Sequence, residues 1–184
     1  MTRSRPVRPG RLGEVGVVAW LLARVGGRTA STEPLNLFLV LGRHKRLFRG
    51  WLAFAGLLMP GGRLPRSDSE LVILRVAHLR GSAYETGHHT RVGRRAGLTT
   101  AELERIADGS TVEGWPPRRR ALLLAVDELV DTRTLSDPTW DELREHLTEI
   151  EAIELVLLAG HYDMLAAAIA ALGIQVEAHD HREA

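Results

Sequence analysis

Residues 70–97 read ELVILRVAHLRGSAYETGHHTRVGRRAG and contain two helical patterns separated by one glycine. In the first pattern, residues 71–79, apolar side chains fall on nearly every side, which is typical of a helix surrounded by other helices. Gly81 interrupts this run, and Ser82 is placed to begin a second helix. We therefore predict a central buried helix that is followed closely by another.

The second helix carries two polar side chains on a side that we expect to point inward. Four residues recur at i, i+4, i+7 and i+11 and so share this side: Glu85, His89, Val92 and Ala96. The two apolar members indicate burial, where a carboxylate and an imidazole must find partners. A carboxylate that orients an imidazole makes a good proton-exchange pair, so Glu85 and His89 are predicted catalytic residues. The alternative is a structural ion pair in the core.

Three signatures of the form Ser/Thr-x-x-Glu predict capped helix starts, at Ser67-x-x-Glu70, Ser82-x-x-Glu85 and Thr99-x-x-Glu102. In such a capping box the glutamate only binds the backbone N–H of the capping residue. This structural role competes with a chemical role for the first two glutamates.

Apolar spacing of the helical kind continues along the chain without convincing strand alternation. It predicts one helix over residues 12–25, two around a hinge near Gly42, and a long last helix over residues 150–172. We predict an all-α fold, a helical bundle of about seven to eight helices. The predicted organisation is a flexible arm (1–10), a single domain (11–176) and a C-terminal tail (177–184).

Composition excludes several classes of function. The 184 residues carry 24 Lys and Arg against 23 Asp and Glu, which favours neither nucleic acid nor an anionic membrane as a partner. The absence of cysteine excludes thiolate metal sites and thiol redox chemistry. No phosphate-binding loop is present, so no cofactor is expected. No apolar run approaches the length of a membrane span, and we expect a cytoplasmic protein.

Three further polar residues lie close to the predicted site. His78 follows Leu71 and Leu74 on the central helix, where it is either a substrate contact or a hydrogen-bonded core histidine. His88 lies about 100° round the helix from His89, and the Tyr84 hydroxyl is placed at the rim of a cavity.

A metal-dependent enzyme is a second alternative. Imidazole and carboxylate groups suit zinc or iron, and the candidate ligands would be His78, His88, His89 and Glu85. Their spacing matches no H-E-x-x-H or facial-triad pattern, so no metal site is predicted.

Several short motifs together resemble the carboxymuconolactone decarboxylase family, which also includes the alkylhydroperoxidase-like proteins. They are Leu64-Pro65-Arg66, the run ELVILRVA over 70–77, Gly81-Ser82-x-Tyr84-Glu85-x-x-x-His89, and Ala96-Gly97-Leu98. In the peroxidase branch the family motif is a glutamate followed by C-x-x-C-x-x-x-H. The resemblance places its glutamate at Glu70, its cysteines at Ser82 and Glu85, and its histidine at His89. Without sulfur at either position, thiol peroxidase activity is not expected.

The resemblance to the decarboxylase branch implies a cofactor-free homo-oligomer, a trimer, dimer or hexamer, that acts on a small molecule. It implies that Glu85 and His89 move protons, with Glu70 and Tyr84 as supporting groups. Arg75 or Arg66 would hold a substrate carboxylate, and Ser82, His78 and His88 would also contact the substrate. The predicted function is decarboxylation or proton transfer on a small carboxylic acid or lactone. A non-catalytic oligomer of the same family is the alternative.

Overall fold

The computed structural model describes residues 6–30 and 32–178, and over these residues the chain is helical with no β-sheet. The predicted all-α class is therefore confirmed. The described helices are α1 Leu12–Ala30, α2 Asn36–Leu41, α3 Lys45–Leu58, α4 Arg66–Leu79, α5 Ala83–Arg95, α6 Thr100–Arg105, α7 Pro117–Thr132, α8 Asp137–His146 and α9 Glu149–Leu172. A short 3-10 turn, Ile106–Asp108, follows α6.

The contacts divide the chain into two compact units, and the single domain over residues 11–176 stays a prediction. One unit contains the residues up to Ala55 and those from Ala168 onward, and the other contains residues 56–167. No linker marks this division in the sequence, because α3 and α9 each run through a boundary without a break.

The first unit has a small core around Val15, Ala19 and Phe48, where the Phe38 ring lies edge-on to Trp51. Parts of both predicted terminal segments are fixed within this unit. The N–H of Val7 donates to the carbonyl of Leu172 at 2.9 Å. The buried Glu177 carboxylate accepts the N–H of Asn36 at 2.5 Å. These contacts correct the prediction of free segments for the residues concerned, and residues 1–5 and 179–184 lie outside the described residues.

In the second unit α4 is the central helix that the sequence predicted. Its residues 71–77 are all buried, and the helix packs against α5, α7 and the 3-10 turn. Its start differs from the prediction, because Pro65 is the capping residue and Ser67 lies inside the helix. The Pro65 carbonyl accepts the N–H groups of Asp68 and Ser69, so the capping box that was predicted to use Glu70 does not form. That carboxylate remains available for other contacts.

The other two capping signatures have opposite outcomes. Ser82 is the capping residue of α5 but makes no capping bond through its side chain, so the box with Glu85 is wrong. At α6 the Thr99 hydroxyl accepts the N–H of Glu102, and the Glu102 carboxylate accepts the N–H of Thr99. The capping box predicted there is confirmed.

The long helix α9 is the only described helix with the length and hydropathy of a membrane span, in contrast to the expectation that no apolar run approaches this length. Core helices pass the same test, and the side chains of Leu155 and Leu158 are completely buried. One such helix is weak support for a membrane span.

Glu154 of α9 closes the loop that precedes α4. The buried carboxylate accepts the N–H groups of Arg63 at 2.6 Å and Leu64 at 3.0 Å. We expect Glu154→Ala to lower the free energy of unfolding by about 2–4 kcal/mol, because both donors lose a charged acceptor. Urea denaturation checks this against Glu145→Ala, which removes an exposed carboxylate of α8. Equal stability of the two variants would contradict the structural role of Glu154.

Candidate active site

A fully buried carboxylate on α4 pairs with a histidine on α5. The Glu70 Oε2 atom lies 2.7 Å from His89 Nδ1, and the Arg66 guanidinium lies 2.9 Å from Glu70 Oε1. With Nδ1–H donating to the carboxylate, the imidazole is held in one orientation and its Nε2 atom is left to accept or give a proton. The arrangement is that of an oriented general base.

The partner of His89 differs from the sequence prediction, which paired it with Glu85. Spacing along one helix shows only that two side chains share a side. The observed bond instead crosses between α4 and α5, and it is possible because Glu70 has no capping role.

Glu85 is buried, with an exposed fraction of only 2%, and neither carboxylate oxygen has a hydrogen-bond partner. Burial raises the pKa of Glu85 to about 7, and the charge of Asp163 acts in the same direction. The nearby Ser82 hydroxyl lowers this pKa, but the two groups form no hydrogen bond of normal geometry. Near neutral pH the Glu85 carboxyl group is thus partly protonated and able to act as an acid.

Tyr162 of α9 is a residue of this site that the sequence prediction did not include. Its ring lies edge-on to the His89 ring, with 5.1 Å between centroids. Burial and the charges of Glu70 and Glu85 raise the pKa of the Tyr162 hydroxyl, and Arg66 opposes them. Tyr162 therefore lies within the electrostatic reach of both carboxylates. In the sequence Tyr162 stands between His161 and Asp163, and no spacing pattern marks it as a residue of the site.

Arg75, one of the predicted substrate contacts, is bound within the fold of the second unit. Arg75 is buried, with Nε donating to Asp127 and a guanidinium N–H group reaching the carbonyls of Ile106 and Ala107 at 2.8 Å each. These bonds make the guanidinium a structural clamp, and its role in holding a substrate carboxylate stays a prediction that they do not support.

His78 is exposed, eight residues beyond Glu70 and so about 12 Å further along α4, which contradicts the alternative of a core histidine. The ring of His88 packs on the buried ring of Tyr84, with 4.8 Å between centroids. Their roles as a substrate contact and a supporting group stay predictions. Among the described residues, no three His, Asp or Glu side chains are grouped so that they could hold a metal ion.

The fold and site define a class: all-α proteins with a carboxylate-histidine dyad carried by neighbouring helices. Residues 45–128 match the model of the carboxymuconolactone decarboxylase family, which confirms the resemblance. This part of the chain is a carboxymuconolactone decarboxylase family segment without the redox cysteines.

One relative in sequence is the uncharacterized protein YdfG of Bacillus subtilis, which is 25% identical over 95 residues. The match spans 50% of this chain and 65% of that protein, less than two thirds of its length. Nothing about the activity of this chain follows from that relative.

Two solved structures share the fold. The alkylhydroperoxidase AhpD core protein of Ralstonia eutropha JMP134 aligns with a TM-score of 0.76 at 18% identity, over 94% of each chain. A Cys-to-Ala variant of the debrominase Bmp8, in complex with 2,3,4-tribromopyrrole, aligns with a TM-score of 0.79 at 18% identity, over 97% of this chain and 95% of that one. At these identities the similarity shows the fold alone.

Proposed function

We propose that this chain is a cofactor-independent enzyme that moves protons on a small carboxylic acid or lactone, as a decarboxylase or an isomerase. One observation carries the proposal: neighbouring helices of the second unit hold the oriented pair of Glu70 and His89 and the buried, unpartnered carboxyl group of Glu85. Both act on the hydroxyl of Tyr162, which supports a common site.

The two groups suit opposite roles because their surroundings differ. His89 is oriented by its hydrogen bond to Glu70 and is placed to accept a proton at Nε2, whereas Glu85 has a pKa of about 7 and gives one. Titratable groups with environments separated in this way supply an acid and a base at one pH. Each such group contributes about 10² to 10⁴-fold to a rate.

In a decarboxylation, the bond between the carboxylate carbon and its neighbour breaks and carbon dioxide leaves. The electron pair stays on the remaining dienolate, and the Glu85 carboxyl group then donates its proton to carbon. In an isomerisation, His89 removes a proton from one carbon atom while Glu85 protonates another. Neither sequence of steps needs an oxidant or a reductant.

Arg66 is the cation that we assign to the substrate carboxylate. It touches the dyad through Glu70 and its side chain is 42% exposed, so it can contact a ligand that enters from solvent. Arg75 has less freedom, because its Nε and Nη1 atoms already donate to Asp127 and to the carbonyls of Ile106 and Ala107. A guanidinium binds a carboxylate with two parallel hydrogen bonds, which would orient a small acid over His89.

The alternative, a non-catalytic member with a structural pair, accounts for Glu70 and His89 but not for Glu85. A buried carboxyl group without hydrogen bonds costs stability, and a purely structural core has no use for one. Carboxylates left without partners inside a fold are typical of sites that bind or transform a ligand.

The test is the release of carbon dioxide from carboxymuconolactone by wild type, Glu85→Gln, His89→Ala and Glu70→Gln. We expect each variant to lose about 10² to 10⁴-fold in kcat/KM, because each removes a proton-transfer group or its orienting partner. Glu145→Gln, which changes an exposed carboxylate, is the matched control and should retain full activity.

Circular dichroism shows whether each variant is folded. If folded wild type turns over none of a panel of small acids and lactones, and none of them raises its melting temperature, the enzymatic proposal fails. The panel should include 2,3,4-tribromopyrrole, the ligand of the Bmp8 variant, because aromatic rings of Tyr162 and His89 border the site.

A further inference from the structure

Helix α9 presents an apolar stripe to the solvent within the second unit. Its large members are Ile150, Ile153, Leu157 and Met164, with exposed fractions of 64%, 53%, 47% and 54%. Gly160 and Ala167 are exposed at the remaining two positions. We call these six residues the α9 stripe. The opposite side of the same helix, with Leu155 and Leu158, is buried.

The spacing within the α9 stripe is 3, 4, 3, 4 and 3 residues. This is the repeat of a coiled-coil seam, about 3.5 residues, and it indicates that the missing partner is another helix with the same repeat. A helix that lies on a lipid surface needs a broader apolar side than a coiled-coil seam, which has only two apolar positions in every two helical turns.

Gly160 supports an outside partner independently of the spacing. It lies inside the 24-residue helix α9, where glycine is less favourable than alanine. A side chain added at Gly160 would meet nothing within 4 Å, so packing inside this chain does not require the glycine. The space above it suits a side chain from a second molecule.

We propose that a second copy of this chain packs antiparallel on the α9 stripe, about a twofold axis midway between Leu157 and Gly160. In this register Leu157 of each copy lies over Gly160 of the other, Ile150 lies over Ala167, and Ile153 lies over Met164. Two of the three layers thus set a large side chain against a small one, and the stripe complements itself as a twofold interface requires. A parallel pair would instead set Gly160 against Gly160 and leave a gap.

The absence of cysteine allows a direct test of this register. Leu157→Cys and Gly160→Cys proteins are mixed and oxidised gently, and the yield of disulfide-linked dimer is measured on a non-reducing gel. We expect this mixture to form the covalent dimer at least ten times faster than Ile150→Cys mixed with Gly160→Cys. In the latter pair the two positions are offset by seven residues, about 10 Å of helix. Equal rates, or fastest linkage between two copies of Leu157→Cys, would overturn the register.

Sedimentation of the uncross-linked proteins tests the interface itself. Wild type should be a dimer, or a larger assembly that contains this dimer, whereas Leu157→Glu and Gly160→Leu should each raise its dissociation constant at least tenfold. Gly160→Leu should nevertheless keep or increase the helical content, because leucine favours helix more than glycine. Leu57→Glu, at a position 71% exposed on α3, is the control and should not change the assembly.

A monomeric wild type would overturn the proposal. So would assembly that survives both stripe variants, or dissociation by the Leu57→Glu control. Binding of wild type, but not Leu157→Glu, to phosphatidylcholine vesicles would overturn it in favour of a lipid surface. This inference does not depend on the proposed catalytic function.

Discussion

Glu85→Gln is expected to raise the stability of the protein above pH 7 while removing its proposed activity. The folded state holds the Glu85 carboxyl group in a buried position without hydrogen bonds, and burial raises its pKa from 4.5 to about 7. Each pKa unit corresponds to about 1.4 kcal/mol, so ionised Glu85 costs the folded state up to about 3 kcal/mol. A neutral glutamine avoids that cost and cannot donate the proton.

The sign of the pH dependence follows from linkage. Because the folded-state pKa is raised, the folded protein binds the proton more tightly than the unfolded chain does, and wild-type stability falls as pH rises from about 4.5 to about 7. Below pH 4.5 the Glu85 carboxyl group is protonated in both the folded and the unfolded state. Above pH 7 it is ionised in both states, and the loss of wild-type stability is complete. The stability difference between Glu85→Gln and wild type should therefore be small at pH 4 and reach up to about 3 kcal/mol at pH 8.

Urea denaturation of both proteins between pH 4 and pH 8 measures this difference, with Glu145→Gln as the exposed control. A stability difference between Glu85→Gln and wild type that does not change with pH would show that the pKa of Glu85 is not raised in the folded protein. In that event the acid role fails, whether or not turnover is detected. A substitution that raises stability but removes activity is typical of a catalytic residue whose position in the folded protein is energetically unfavourable.

Arg75→Met is expected to lower the free energy of unfolding by about 3 kcal/mol, because removal of one member of a buried ion pair leaves the other charge uncompensated. The guanidinium joins α4 to Asp127 of α7 and to two carbonyls at the 3-10 turn, and its side chain is only 9% exposed. Gly109 follows that turn, and a side chain there would lie 2.5 Å from the guanidinium. The clamp thus connects three elements of the second unit.

A double variant separates a structural role from substrate binding. Arg75→Met with Asp127→Leu should recover part of the lost stability, since no uncompensated charge remains. Thermal and urea denaturation measure the stability, and the KM of folded Arg75→Met should stay near that of wild type. A raised KM with unchanged stability would restore the predicted role of Arg75 as the carboxylate anchor.

Helix positions were accessible to prediction because they depend on spacing along the chain. The buried pattern over residues 71–77 and the reciprocal cap of Thr99 and Glu102 involve neighbours in sequence, and both are confirmed. The capping boxes predicted at Ser67 and Ser82 do not form, and the reason is local in both cases. Pro65 begins α4 two residues early, and Ser82 opens α5 with backbone contacts alone.

Only part of the candidate site could be predicted from the sequence. Sequence spacing identified Glu85 and His89 as chemically important, and the family resemblance added Glu70. It assigned the wrong partner to His89 and omitted Tyr162, which lies 73 residues further along the chain. It also did not indicate that Arg75 binds Asp127 and two carbonyls of the fold.

The amino-acid sequence by itself therefore determined the helical class, the helices of the central pair, the family resemblance and the exclusion of sulfur chemistry. These depend on composition and on contacts between near neighbours. Only the tertiary structure decided that Glu70 binds His89, that Glu85 is left without a partner, and that Tyr162 joins them. The physical reason is that hydrogen bonds between helices and the desolvation of a carboxylate depend on which sides of distant helices meet, and spacing along one helix does not contain that information.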